Sequence, residues 1–238
     1  MTGNGLIYLY KMLSLGFSYP EEKNWIMLEK MLYEGESLLD GEILAMLKDF
    51  KNYFTDNRHR INDVKSEYLD IFDMGRKISP YETEYLTEKI SRKPFELADI
   101  SGFYSAFGFG INEDMTNKES ADHISVELEF MAIIALKEEY ARGAKQKENE
   151  NIVHDAGRKF LNDHLAKWGF YYCSQIQELE FGSFYKKLGS ILESLLSIEC
   201  DRYGLDAMSF KKKIERDVYD GVREEVLACG HNFSPADE

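Results

Sequence analysis

The densest run of chemistry-bearing side chains is Glu119-Ser120-Ala121-Asp122-His123, which continues into Glu127 and Met131. His123 and Glu127 are spaced i, i+4, so on a helix they share a face. Asp122 falls at the start of that helix, where a carboxylate can accept backbone N–H groups and meets the positive end of the dipole. These residue types fit several chemistries. As metal ligands, His123 and Glu127 need further donors; His154 and His164 are available, but their spacing is not that of a ligand set. As an acid–base pair, they lack a nearby nucleophile motif. As a helix start whose polar side chains hold a loop or bind a ligand, they need no further partner. No catalytic residue and no metal ligand is assigned.

A second constellation is Tyr68-Leu69-Asp70-Ile71-Phe72, followed by Pro80-Tyr81-Glu82-Thr83-Glu84-Tyr85. Tyr68, Ile71 and Phe72 share a helix face, and such a stripe is ordinarily core. The neighbouring Pro-Tyr-Glu loop suggests a second use. Aromatic and aliphatic side chains beside acidic ones can line an apolar groove with acidic walls, which suits a peptide carrying an apolar and a basic segment.

No Gly-x-Gly-x-x-Gly, Walker-type phosphate loop, Gly-x-Ser-x-Gly or His-Glu-x-x-His occurs, which weakens any nucleotide-enzyme or hydrolase reading. The formal net charge of -14 opposes binding to phosphate backbones and anionic membranes and would attract a basic partner. The 3 cysteines are widely spaced, with no Cys-x-x-Cys, so neither a disulfide framework nor a cysteine-rich metal site is expected. The apolar run Leu6 to Phe17 is broken by Lys11, has no basic flank and ends in no small-residue cleavage site. It reads as a helix and not as a signal peptide. No segment reaches the roughly 20 apolar residues that span a bilayer. A soluble, cytoplasmic protein is expected.

The elements that must position these residues are helical. Leu6, Leu9, Tyr10, Leu13 and Phe17 repeat at helical steps until Pro20. Trp25, Leu28, Met31 and Leu32 repeat the pattern, as do Ile43, Leu44, Leu47 and Phe50, and then Ile61 to Phe72. Pro94 suits the first turn of a further helix carrying Leu97, Ile100, Phe103, Tyr104 and Phe107. The strongest helix is expected over Asp122 to Arg142, then others around Phe160 to Trp168, Phe184 to Ile198 and Phe210 to Leu227, with a frayed tail from Cys229. Nothing alternates as strands do. The expectation is a single all-α domain over residues 1–238, of about ten helices of ordinary length. The glycine-containing stretch 108–121 is a candidate hinge between two halves.

These stretches, in this order, resemble the TorD/DmsD/NarJ-type family, the maturation chaperones of molybdopterin oxidoreductases. The family's aromatic-x-x-Leu-Phe element stands as Tyr68-Leu-Asp-Ile71-Phe72, and its Pro-aromatic-Glu element as Pro80-Tyr81-Glu82. A Leu-Ala-Asp-x-x-Gly-Phe-Tyr-x-Ala-Phe-Gly run spans Leu97 to Gly108, and the Glu-Pro-x-Asp-His motif stands as Glu119 to His123. Phe160-Leu-x-x-His164-Leu-x-x-Trp168 and Phe184-Tyr185-x-x-Leu188 follow. The resemblance covers roughly residues 60–200. Tyr68 replaces a tryptophan of some members, Ile71 a leucine, and Ser120 the motif proline, which frees the backbone before the helix.

The resemblance implies an all-helical fold, no catalytic turnover, no resident cofactor, and binding of the twin-arginine leader or N-terminal segment of a molybdopterin oxidoreductase subunit until cofactor insertion is complete. Some members exchange halves in dimers; others interact with guanine nucleotide or the molybdenum cofactor. The residues carried over are Tyr68, Ile71, Phe72, Pro80, Tyr81, Gly102, Asp122 and His123, with Glu82 and Glu127 as further acidic candidates. The apolar part of a leader is expected near Tyr68, Ile71, Phe72 and Tyr81, and its guanidiniums near Asp122, with Glu82 or Glu127 as alternatives. His123 is expected to tune affinity near its ordinary pKa of about 6.5, or else to make a helix-start hydrogen bond. The rival readings are an assembly factor docking on a folded nitrate-type reductase subunit without leader binding, a nucleotide hydrolase using Asp122 and His123, and a metal protein using His123 and Glu127.

Overall fold

The computed structural model describes residues 2–58, 60–73, 77–85, 89–110 and 119–211. Among them lie α1 (Gly3–Phe17), α2 (Glu22–Glu34), α3 (Gly41–Asn57), α4 (Ile61–Tyr68), α5 (Lys89–Ala106), α6 (Ile124–Gly143), α7 (Lys147–Phe160), α8 (Ala166–Glu178) and α9 (Ser183–Tyr203). The described residues contain no strand, only an isolated bridge between Tyr81 and His123. The all-α expectation holds. No helix among these residues is long and apolar enough to cross a membrane.

α1 explains the layout. It is apolar almost all round, and a helix of that kind must be buried on every side. The side chain of Thr2 caps it by accepting from the Gly5 N–H at 3.2 Å, and it ends before Pro20. It lies along α6 and also meets α2 and α9, so the core forms around it. α8 and α9 pack together, and α9 also meets α3.

Two π turns interrupt the α-helical runs, Leu69–Asp73 after α4 and Leu161–Leu165 between α7 and α8. One extra residue per turn re-aims the side chains that follow, and such turns recur at functional sites. Here they carry Ile71, Phe72 and His164.

α5 docks on α6 and α7 through aromatic edges. Phe103 lies 5.4 Å from Phe160, and Tyr104 lies 4.8 Å from Phe130, centroid to centroid. Pro94 differs from expectation: α5 begins earlier, at Lys89, so Pro94 sits inside the helix. The position is exposed, so water can take the carbonyl that loses its partner. The proposed hinge at 108–121 lies outside the described residues over 111–118, as does the last expected helix beyond residue 211 with its tail.

Candidate functional site

The segment from Ser79 to Tyr85 runs beside the start of α6, tied backbone to backbone. Ile124 N–H donates to Pro80 O, and Glu82 N–H donates to Asp122 O, both at 2.9 Å. The first bond uses an N-terminal amide that the helix itself leaves unpaired. Asp122 adds a side-chain clamp: its Oδ2 accepts from the Thr83 hydroxyl at 2.5 Å and the Thr83 N–H at 3.3 Å. Tyr104 of α5 donates to Ala121 O at 2.7 Å and fixes the same strip from the other side.

His123 is fully buried and caps α6, its Nδ1 accepting from Ser125 N–H at 3.2 Å. An acceptor Nδ1 puts the proton of the neutral ring on Nε2, which points to the Tyr68 hydroxyl at 3.4 Å. Burial pushes His123 down to about 3, against a raising influence of Asp122. It is therefore neutral near pH 6.5, and the expected titration there gives way to the helix-start hydrogen bond.

A cleft of about 970 Å³ opens over this strip. Tyr19, Tyr68, Phe72, Pro80 and Tyr81 give it apolar and aromatic walls, and Asp73, Glu84, Glu119 and Asp122 are its acids. Tyr68 and Phe72 form the floor: their rings meet at 5.2 Å, Tyr19 stands edge-on to Tyr68 at 5.4 Å, and Phe72 continues into Tyr185 at 5.0 Å. Tyr81 is half-buried at the wall and donates its hydroxyl to Glu119 Oε2 at 3.1 Å. Burial, then the Glu119 charge, pushes the Tyr81 phenol up to about 12, so it remains a donor. From α5, Lys93 pairs with Glu84 at 3.0 Å.

The structure thus brings Tyr68, Phe72, Pro80, Tyr81 and Asp122 to one cleft. The other candidates lie elsewhere. Ile71 is fully buried beneath the floor, against Gly182 at the start of α9; that glycine has φ +82, and a Cβ there would stand 3.1 Å from Ile71 Cδ1. Gly102 is exposed on α5 and does not line the cleft. Glu82 and Glu127 point into the interior, where Trp168 donates to Glu127 Oε2 at 3.3 Å and Glu82 Oε1 lies 3.1 Å from His164 Nδ1. Burial first and the Glu82 carboxylate second push Glu127 well above the usual carboxylate range.

Asp122, Glu82 and Glu127 are each about 1% exposed or less; Asp122 lines the cleft and keeps its Oδ1 without a partner among the described residues, whereas Glu82 and Glu127 do not line it. The acids that reach the cleft opening are Asp73, Glu84 and Glu119. Sequence reasoning did not single out Tyr19, Thr83 or Tyr104 as site residues. Thr83 stands next to the Pro-Tyr-Glu element, but no sequence spacing couples it to Asp122. His123 and Glu127 part company because His123 is the cap of α6 and not a member of its stripe.

The profile of a family described as nitrate reductase delta subunit matches residues 36–173, a span that contains the cleft strip. The chain is 29% identical over 136 residues to a chlorate reductase assembly chaperone protein of Ideonella dechloratans, covering 55% of this chain and 67% of that protein. It is 29% identical over 147 residues to a selenate reductase assembly chaperone protein of Thauera selenatis, covering 60% and 72%. To the chaperone protein TorD of Vibrio parahaemolyticus it is 22% identical over 172 residues, covering 71% and 76%. No solved structure matches significantly.

Proposed function

The chain belongs to the nitrate reductase delta subunit family, and from that premise we propose that it is a cytoplasmic assembly chaperone for a molybdopterin-containing oxidoreductase. It binds the twin-arginine leader or N-terminal segment of the catalytic subunit and holds it until cofactor insertion and assembly are complete. It performs no turnover: the similar proteins are named as assembly chaperones, not as enzymes.

The observation that carries this reading is the cleft, with an aromatic floor of Tyr68 and Phe72, a wall of Pro80 and Tyr81, and an acidic opening of Asp73, Glu84 and Glu119. A leader's apolar stretch matches the floor. Its two guanidiniums match the carboxylates, which take arginine bidentately and lysine less well. Asp122 supports the wall through Thr83.

The test is calorimetric titration of the full-length protein with a leader peptide and with its two arginines changed to glutamine. Expected is one-to-one binding, weakened at least about 10-fold by the glutamine peptide, as for removal of partly buried charge pairs. Tyr81→Ala weakens binding of the native peptide and leaves the melting temperature nearly unchanged. No peptide binding, together with binding of a folded catalytic subunit lacking its leader, moves the function to docking on the folded subunit.

A further inference from the structure

Behind the cleft wall, separate segments bring carboxylates and an imidazole together. Glu82 comes from the 3-10 turn Glu82–Tyr85, Glu96 and Asp99 from α5, and His164 from the π turn between α7 and α8. One ligand atom each of Glu82, Glu96 and His164 lies within 4.8 Å of the other two.

The His164 ring is buried beside Phe160 and Phe103, at centroid distances of 5.0 and 5.6 Å. Its Nδ1 lies 3.1 Å from Glu82 Oε1, and its Nε2 lies 3.2 Å from Asp99 Oδ2 but makes no hydrogen bond. Its two ring nitrogens thus face two different carboxylates. Glu82 is itself buried, with Glu127 as an acidic neighbour on the inner side. At the edge of the group the exposed Arg92 pairs with Glu96 at 3.1 Å, and Lys159 lies near Asp99.

We propose that Glu82, Glu96 and His164 Nδ1 bind one divalent transition-metal ion of the zinc type, with a water as fourth donor and Asp99 holding the ring from its other nitrogen, Nε2. An imidazole among carboxylates suits such an ion, whereas magnesium and calcium take oxygen ligands. Donors around a tetrahedral ion at about 2.0–2.2 Å stand roughly 3.3–3.6 Å apart, so the carboxylates close in by about 1 Å. The ion would clamp α5 and the α7–α8 turn to the residue that follows Tyr81, and so stiffen the cleft wall from behind. The site stands independently of what the cleft binds.

The experiment uses the full-length protein stripped with chelator. Zn²⁺ is titrated in competition with a chromophoric chelator, and Co²⁺ is followed by visible absorption. One equivalent of Zn²⁺ is expected to bind, with a melting temperature that rises and saturates at that equivalent. Co²⁺ is expected to give a ligand-field band that is lost in His164→Asn. Glu96→Gln, at a partly exposed position that spares the fold, is expected to weaken Zn²⁺ at least about 10-fold. If His164→Asn does not fold, Glu96→Gln combined with Asp99→Asn decides the matter. The proposal is overturned if the stripped wild type takes up no stoichiometric ion. It is equally overturned if affinity is unchanged in the Glu96 and Asp99 variants, which leaves an adventitious ion only.

Discussion

Two regions of this molecule are held together by different physics. The body, built of α1 and α6 to α9, is an apolar core whose largest side chains, among them Phe130, Phe160, Tyr172 and Tyr185, are fully buried. The cleft wall, residues 79–85 against 119–127, packs Tyr85 on Trp168 and Tyr81 on His123, and is also tied by the side-chain pairs Thr83–Asp122 and Tyr81–Glu119, with Tyr104 of α5 donating to Ala121. Burial is non-directional and tolerates small shifts; hydrogen bonds to buried carboxylates are directional and costly to break singly. Directional ties at the wall can therefore be cut one at a time, while the body yields only to a loss of volume.

The sharpest way to break that contrast is to damage each region alone. Phe130 packs against Phe103, Tyr104, Phe107 and Phe160. Phe130→Ala is expected to cost about 3–5 kcal/mol in urea unfolding. Peptide affinity, measured well below the lowered melting point, stays close to wild type. Asp122→Ala leaves the Thr83 hydroxyl and N–H unpaired and is expected to cost less, about 2–3 kcal/mol. Peptide affinity nevertheless falls, because Pro80 and Tyr81 lose their anchor. If Asp122→Ala lowers stability as Phe130→Ala does and spares affinity, the two regions are one.

The contrast also governs what could be read from the chain. The body was legible because burial leaves a period: Leu6, Leu9, Leu13 and Phe17 repeat as a helix must, and α1 runs where they do. The stripe Tyr68, Ile71, Phe72 was legible as a face, yet its split into a floor and a fully buried Ile71 depends on a π turn that no period announces. The wall was legible only through resemblance. Asp122 pairs with Thr83 across 39 positions, and a pairing so distant leaves no local mark. The same holds for Glu82 and His164, which lie 82 positions apart.

Lowering and raising the pH should separate the buried groups at the junction of wall and body. His123 has its folded pKa lowered to about 3, below the ordinary value of about 6.5. Its contribution to stability is complete above pH 6.5 and is lost as pH falls toward 3, at up to about 1.4 kcal/mol per pH unit. Glu127 has the opposite sign. Its folded pKa is raised by burial and by Glu82, so its contribution is present below the ordinary carboxylate value and is lost as pH rises through the folded one. Urea midpoints compared with His123→Asn, whose side chain can still cap α6, should show the acid-side loss reduced in the variant. Glu127→Gln should reduce the loss on the rising-pH side, and a Glu127→Gln profile parallel to wild type above the ordinary carboxylate range would mean that the fold does not hold Glu127 protonated.

The smallest expected effect is the most specific. Glu119 is the cleft acid that joins both halves of the wall, through Tyr81 Oη at 3.1 Å. Glu119→Gln keeps an oxygen that can accept that hydroxyl, so the unfolding midpoint should barely move. What is lost is one negative charge at the opening, exposed enough to be screened. The affinity for an arginine-bearing peptide should fall by about 2–5-fold at low salt, the size of an exposed ion pair. The difference should vanish above about 0.5 M salt, where the screening length is only a few ångströms. Charge acts here on the ligand and not on the fold, so a loss of affinity that persists at high salt would mean that Glu119 shapes the wall as Asp122 does.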